Sequence, residues 1–331
     1  MNHSVLRGTR RSILAGCSVL ALLPLARSHA QAVPDTARLR AVIVTADRLP
    51  RPVDRTPSSV TVLSGETLRA SGITQLADAL RGVPGVNAVG SGSLGAQTSL
   101  FMRGGESDYV KVLVDGVVMN DPGGAIDLAT INLANVERIE IVRGPASVQY
   151  GSDAVSGVIQ IFTRQAQAPV DAQLTLRGGS YGTAIADGSL GLRGGRGWLT
   201  LGVAHHESEG MLAFNNEYRN DIVSLGTEWR AASRTTARWS LRRSDNEFHY
   251  PTDGSGRVVD RNARRGDRRL SSSVEVAHVF GPRVEGIVSF GSLNAHGRTD
   301  DASDGAADTL GFHAYRSHGV VRRRTGDARL I

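Results

Sequence analysis

Val170-Asp171-Ala172-Gln173-Leu174-Thr175-Leu176-Arg177 alternates apolar and polar side chains without a break. A period of two places every apolar side chain on one face of an extended strand, which a helix cannot do. The texture returns at Leu199, Leu201 and Val203, at Val223, Leu225 and Trp229, and at Ala237, Trp239 and Leu241. It continues through Val274 and Val276, through Val284, Val288 and Phe290, and through Leu310, Phe312 and Ala314. We count about eight such segments of roughly ten residues, the length a tilted strand needs to cross a bilayer.

The connections carry the same message. Gly194–Gly197, Ala232–Arg234 and Gly281–Pro282 are short, whereas 207–221, 245–267 and 296–308 are long and polar. Such alternation belongs to a transmembrane barrel with tight turns on one rim and long loops on the other. The first connection, 178–184, fits either rim. A soluble β-sandwich or a surface β-solenoid also alternates and is the plainer alternative.

Upstream, residues 48–166 read as a compact α+β unit. Val60–Leu63 is a short strand, and Thr74 is placed to cap a helix whose Leu76, Ala77 and Leu80 share one face before Gly82 and Pro84. Val110–Val114 and Val117–Met119 flank Asp115-Gly116, a two-residue hairpin turn in which both positions tolerate positive φ. Val136–Val142 and Val158–Thr163 supply further strands.

Residues 1–30 read as an export signal. Arg7, Arg10 and Arg11 precede an apolar run to Ala26, and Ser28-His29-Ala30 offers small residues for cleavage. The run is too short to span a bilayer. Cys17 is the one cysteine, so the processed chain has no disulfide framework and no thiolate metal site. The net charge of +6 loses Arg7, Arg10, Arg11 and Arg27 with the signal, and 6 − 4 leaves +2, which removes the case for nucleic acid as a partner. With 40% hydrophobic and 21% charged residues, the chain is neither disordered nor a polytopic helical membrane protein.

Three further motifs bear on identity. Phe101-Met102-Arg103-Gly104-Gly105 is the first, Val112-Leu113-Val114-Asp115-Gly116-Val117 the second, and Val136 to Pro145 the third. Followed by Tyr150-Gly151-Ser152-Asp153-Ala154 and Gly157–Thr163, they resemble the plug of TonB-dependent outer-membrane receptors across about 120 residues. The Ser-Asp-Ala wording most resembles the cobalamin-transporter branch.

The resemblance implies an α+β plug domain followed by an antiparallel transmembrane β-barrel in the outer membrane. The domains would be a signal at 1–30, a leader at 31–47, the plug at 48–166 and barrel strands at 167–331. Its implied function is energy-coupled uptake of a scarce large ligand, cobalamin or a ferric siderophore, with no enzyme chemistry and no cofactor. A non-transporting surface β-protein or adhesin is the alternative. Val42-Ile43-Val44-Thr45-Ala46 resembles the TonB box, implying TonB and its inner-membrane complex as partners beside outer-membrane lipid. Without the family, this pentamer is a β-prone segment suited to adding a strand to a partner's sheet, or simply the plug's first strand. The resemblance also implies that Arg103 and Arg143 form a plug–barrel latch by pairing with barrel glutamates.

Phe214, Phe248, His249 and Tyr250 in the long loops are candidate ligand contacts, with ordinary loop packing as the plainer reading. Asp300, Asp301, Asp304 and Asp308 could bind calcium or simply be solvated. His205 and His206 fall on opposite strand faces, against a shared metal, and no metal site is expected. About eight strands enclose only their own side chains, whereas plugged transporters use about 22, so the chain reads as the N-terminal part of a receptor.

Overall fold

The computed structural model describes residues 43–44, 51–52, 59–253, 255–282, 284–301 and 315–330. Strands β1 (Ile43–Val44) and β2 (Arg51–Pro52) pair antiparallel. Val42, Thr45 and Ala46 of the TonB-box resemblance lie outside the described residues.

The α+β unit comprises β3 (Ser59–Ser64), β4 (Val86–Gly90), β5 (Thr98–Met102), β6 (Val110–Val114), β7 (Val117–Val118), β8 (Val136–Arg143) and β9 (Gly157–Thr163). Five of these form one sheet in the order β3-β8-β9-β6-β7, with β6 parallel to β9, while β4 and β5 make a separate hairpin. The β6–β7 turn has φ of 46° at Asp115 and 82° at Gly116, the left-handed pair that a two-residue hairpin requires.

Helix α1 (Gly65–Ala70) is capped by Ser64, whose Oγ accepts from Thr67 N–H. Helix α2 (Leu76–Leu80) buries Leu76 and Leu80 as expected, but its N-cap is Gln75 and no side chain caps it. Thr74 is not needed there. The Leu76 N–H donates to Ile131 O, so tertiary backbone contact takes the place of the cap. A third helix, α3 (Ser147–Tyr150), is a single turn.

The sheet that follows has eight strands, each antiparallel to the next in sequence. They are β10 (Val170–Gly178), β11 (Ala184–Gly194), β12 (Gly197–Ser208), β13 (Tyr218–Ala232), β14 (Thr235–His249), β15 (Arg264–Gly281), β16 (Val284–Asp301) and β17 (Tyr315–Leu330). Strands β10 and β17 do not pair, so the described sheet is open. Val170, Leu174, Val203, Val223, Val274, Val288 and Phe290 all lie exposed on one face, forming an apolar belt. Trp229, Trp239 and Phe280 are exposed on the same face near the short turns, as in the aromatic girdle of a membrane barrel. Among the described residues no helix is long and apolar enough to cross a membrane.

Three expectations change. Strands β13 to β16 are 15, 15, 18 and 18 residues long, well beyond ten. Consequently the loops expected at 207–221 and 245–267 contract to 209–217 and 250–263. Beyond the belt both faces carry polar residues, so pairing continues where apolar alternation has stopped. Strand β11, for which the sequence offered no apolar run, fills the interval between the first two connections, its pattern diluted by Gly188, Ser189 and Gly191. The segment at Leu310, Phe312 and Ala314 lies outside the described residues.

Candidate functional site

The inward face of the sheet packs on the α+β unit, and polar side chains cross between the two. Apolar contact is present: Leu293 and Ala295 of β16 join the main core, and Ala134 packs with Ala204 and Ile222. Beside it runs a set of polar contacts, some to backbone carbonyls and some to side chains of the α+β unit.

Residues 119–135 connect β7 to β8 and lie against the wall with few ladder partners of their own. Buried carbonyls need donors. Arg242 of β14 supplies two, donating from Nη1 to Ala134 O at 3.0 Å and from Nη2 to Asn132 O at 2.8 Å. Arg269 of β15 donates to Met119 O at 2.9 Å while Asp267 holds its Nε at 2.7 Å. Arg265 pairs with the buried Asp127 at 2.9 Å, and Asp127 also caps the turn at Leu128–Thr130. A guanidinium spreads its donors in a rigid fork, which suits it to two carbonyls at once.

A second line of contacts runs along β11 to β13. Asn132 Oδ1 accepts from Ala134 N–H at 2.7 Å, which fixes Nδ2 toward His206 Nδ1 at 2.9 Å. His206 therefore accepts at Nδ1 and donates from Nε2 to Asp187 at 2.6 Å. Asn135 donates to Ser224 at 3.0 Å, and Gln75 donates to the Tyr218 hydroxyl at 2.8 Å. At the loop end, Gly95 (φ 90°) lies so close to Tyr218 and Phe248 that a Cβ would stand 2.5 Å from the Tyr218 ring.

The residues singled out from sequence fall as follows. Arg143 donates to Pro84 O at 2.7 Å and to Thr61 Oγ1 at 2.8 Å, and Arg103 is exposed in a turn with φ 51°. Among the described residues neither meets a barrel carboxylate, because Arg143 ends the strand beside β3 and Arg103 reaches toward Gly144 within the same unit. Phe248 is buried against Ala96 and Tyr218, with Tyr250 stacked on it at 6.0 Å. Phe214 lies under the Arg261 guanidinium, and His249 is held by Glu247 at 2.8 Å and Asn215 at 3.2 Å. His205 and His206 do part to opposite faces, His206 buried and His205 on Asp221. Asp300 pairs with Arg298, whereas Asp304 and Asp308 lie outside the described residues. Arg242, Arg265 and Arg269 were not anticipated, although each occupies an inward position of its strand.

Residues 52–158 match the family model of the TonB-dependent receptor plug domain. The vitamin B12 transporter BtuB of Vibrio vulnificus is 35% identical over 171 residues, covering 52% of this chain and 28% of that protein. The BtuB of Photobacterium profundum is 31% identical over 204 residues, covering 61% and 34%. The chain thus spans about a third of the length of the curated relatives it matches. Among solved structures, the ferripyoverdine receptor of the Pseudomonas aeruginosa outer membrane aligns at a TM-score of 0.69 and 15% identity, over 87% of this chain and 42% of that one. The siderophore receptor PiuA of Acinetobacter baumannii aligns at 0.64 and 18% identity, over 85% and 43%. Residues 52–158 thus match the plug domain of TonB-dependent receptors, and the strands that follow are laid out as in the barrels of the aligned structures.

Proposed function

We propose that this chain belongs to an outer-membrane transporter that takes up a scarce large ligand, cobalamin or a ferric siderophore, with energy delivered by TonB. The observation that carries the reading is a plug seated on the polar inner face of a sheet whose outer face is an apolar belt. Export by the N-terminal signal would bring the chain to that membrane.

In this reading ligand meets the plug apex near Gly95, where Phe248 and Tyr250 stack, His249 ends β14 and Phe214 lies in the adjoining loop. TonB would pair with residues 42–46 and pull on the edge strand β3. The grip on the plug includes hydrogen bonds to carbonyls and side chains in a polar interface, which can be exchanged for water as the plug shifts. Arg103 and Arg143 are retained as the proposed plug–barrel latch toward barrel glutamates, and within the plug Arg143 also ties Thr61 of that edge strand to Pro84.

The test is deletion of residues 42–46 in the full-length receptor. Uptake of labelled cyanocobalamin or ferric siderophore should vanish while surface binding of the same ligand persists. Unchanged uptake would overturn the reading, and loss of both would point to a folding defect that a protease-protection assay detects.

A further inference from the structure

Five arginines on the outward face have no part in the plug contact. Arg219, Arg243, Arg264, Arg268 and Arg298 line a groove of about 780 Å³ across β13 to β16, on the same strand face as the exposed Val223, Leu270 and Val288. They begin where the belt stops. Along β13 the outward series runs Val223, Asp221, Arg219, and along β15 it runs Leu270, Arg268, so one outward step of about 7 Å separates aliphatic from charge.

The carboxylates among them do not use up the guanidinium donors. Asp221 accepts from Arg219 Nε at 2.8 Å, and Asp245 accepts from Arg243 Nε at 2.8 Å and from Arg268 Nε. Asp300 holds Arg298 Nε at 2.5 Å and meets Arg264 at 3.7 Å. Glu247, which also lines the groove, is taken by His249. Four arginines are thus fixed through Nε. Among the described residues their Nη groups make no hydrogen bond, and their side chains are 52–64% exposed. An arginine oriented in this way presents its terminal fork to a planar or tetrahedral anion.

We infer that this groove is a headgroup site for anionic, phosphate-bearing lipid of the leaflet at the long-loop rim. A soluble anion would not need the aliphatic flank, whereas a lipid uses both parts: acyl chains along Val223 and Leu270, phosphate oxygens on the arginine forks. The inference rests on the proposed membrane reading, and the two are separable by experiment.

The full-length receptor, purified in detergent, would be titrated with dioleoylphosphatidylglycerol or dioleoylphosphatidylcholine and bound lipid counted by native mass spectrometry. Wild type should retain phosphatidylglycerol over phosphatidylcholine by on the order of tenfold, as one or two charge-assisted hydrogen bonds would give. Arg243→Gln/Arg268→Gln/Arg298→Gln should erase the preference, the same three Arg→Lys changes should restore only part of it, and Arg234→Gln in a short turn should leave it intact. A preference equal in wild type and the triple Arg→Gln variant overturns the inference, as does inorganic phosphate binding without lipid preference. Membrane fractionation and heat-dependent gel migration report the barrel separately. A membrane-inserted, folded receptor with no preference sinks the headgroup site alone, whereas a chain absent from the membrane sinks both.

Discussion

Asp115 sits in surroundings that oppose its charge. Its carboxylate accepts from Thr163 N–H at 2.9 Å and from Thr163 Oγ1 at 2.8 Å, yet burial holds the carboxyl above its usual 3.8. A carboxyl raised on folding contributes stability that is present below its unfolded value and lost as pH rises through its folded value. Protection of the Thr163 amide against hydrogen exchange should therefore weaken as pH rises above the usual carboxylate range, and Asp115→Asn should flatten that trend. A slope that survives the substitution would assign it to another group. The proposed latch is tested at this scale too: Arg103→Ala/Arg143→Ala should raise leakage of large antibiotics, and unchanged leakage through a folded receptor would remove it. The Asp115-Gly116 turn was plain in the sequence because its conformation is local. Arg242 was not, since Arg242-Arg243 places one guanidinium on each face and only the structure shows which one meets carbonyls.

Among elements, the strands were legible wherever one face meets an apolar medium. Val288 of β16 is 60% exposed in the middle of the belt. Val288→Arg should destabilise the inserted receptor by about 2–4 kcal/mol, the cost of a cation on the lipid face near the midplane. Its urea unfolding in lipid vesicles measures this, with Ser244→Ala on the inward face as the mild control. A Val288→Arg cost no greater than the control's would contradict the orientation of the sheet. The extended upper ends of β13 to β16 escaped the sequence because Asp221, Asp245 and Asp267 read as loop. Their pairing is fixed by the neighbouring strand, not by their own pattern. The same holds for α2, whose start is set by Ile131 on a distant segment.

At the scale of the molecule, the order of a compact unit followed by repeated alternation already stated the architecture. What the pattern did not carry was which side chains cross between the two layers, because that depends on the register in which the wall meets the plug. That crossing has its own consequence for how the sequence is free to change. Arg242 and Arg269 hold main-chain oxygens of Ala134, Asn132 and Met119, atoms that every amino acid possesses. At these three points the wall holds the path of the plug backbone, whereas Asp127, Asn132 and Asn135 are held through their side chains. A library of substitutions should find Met119 and Ala134 permissive to replacements of similar size while the two arginines tolerate almost none.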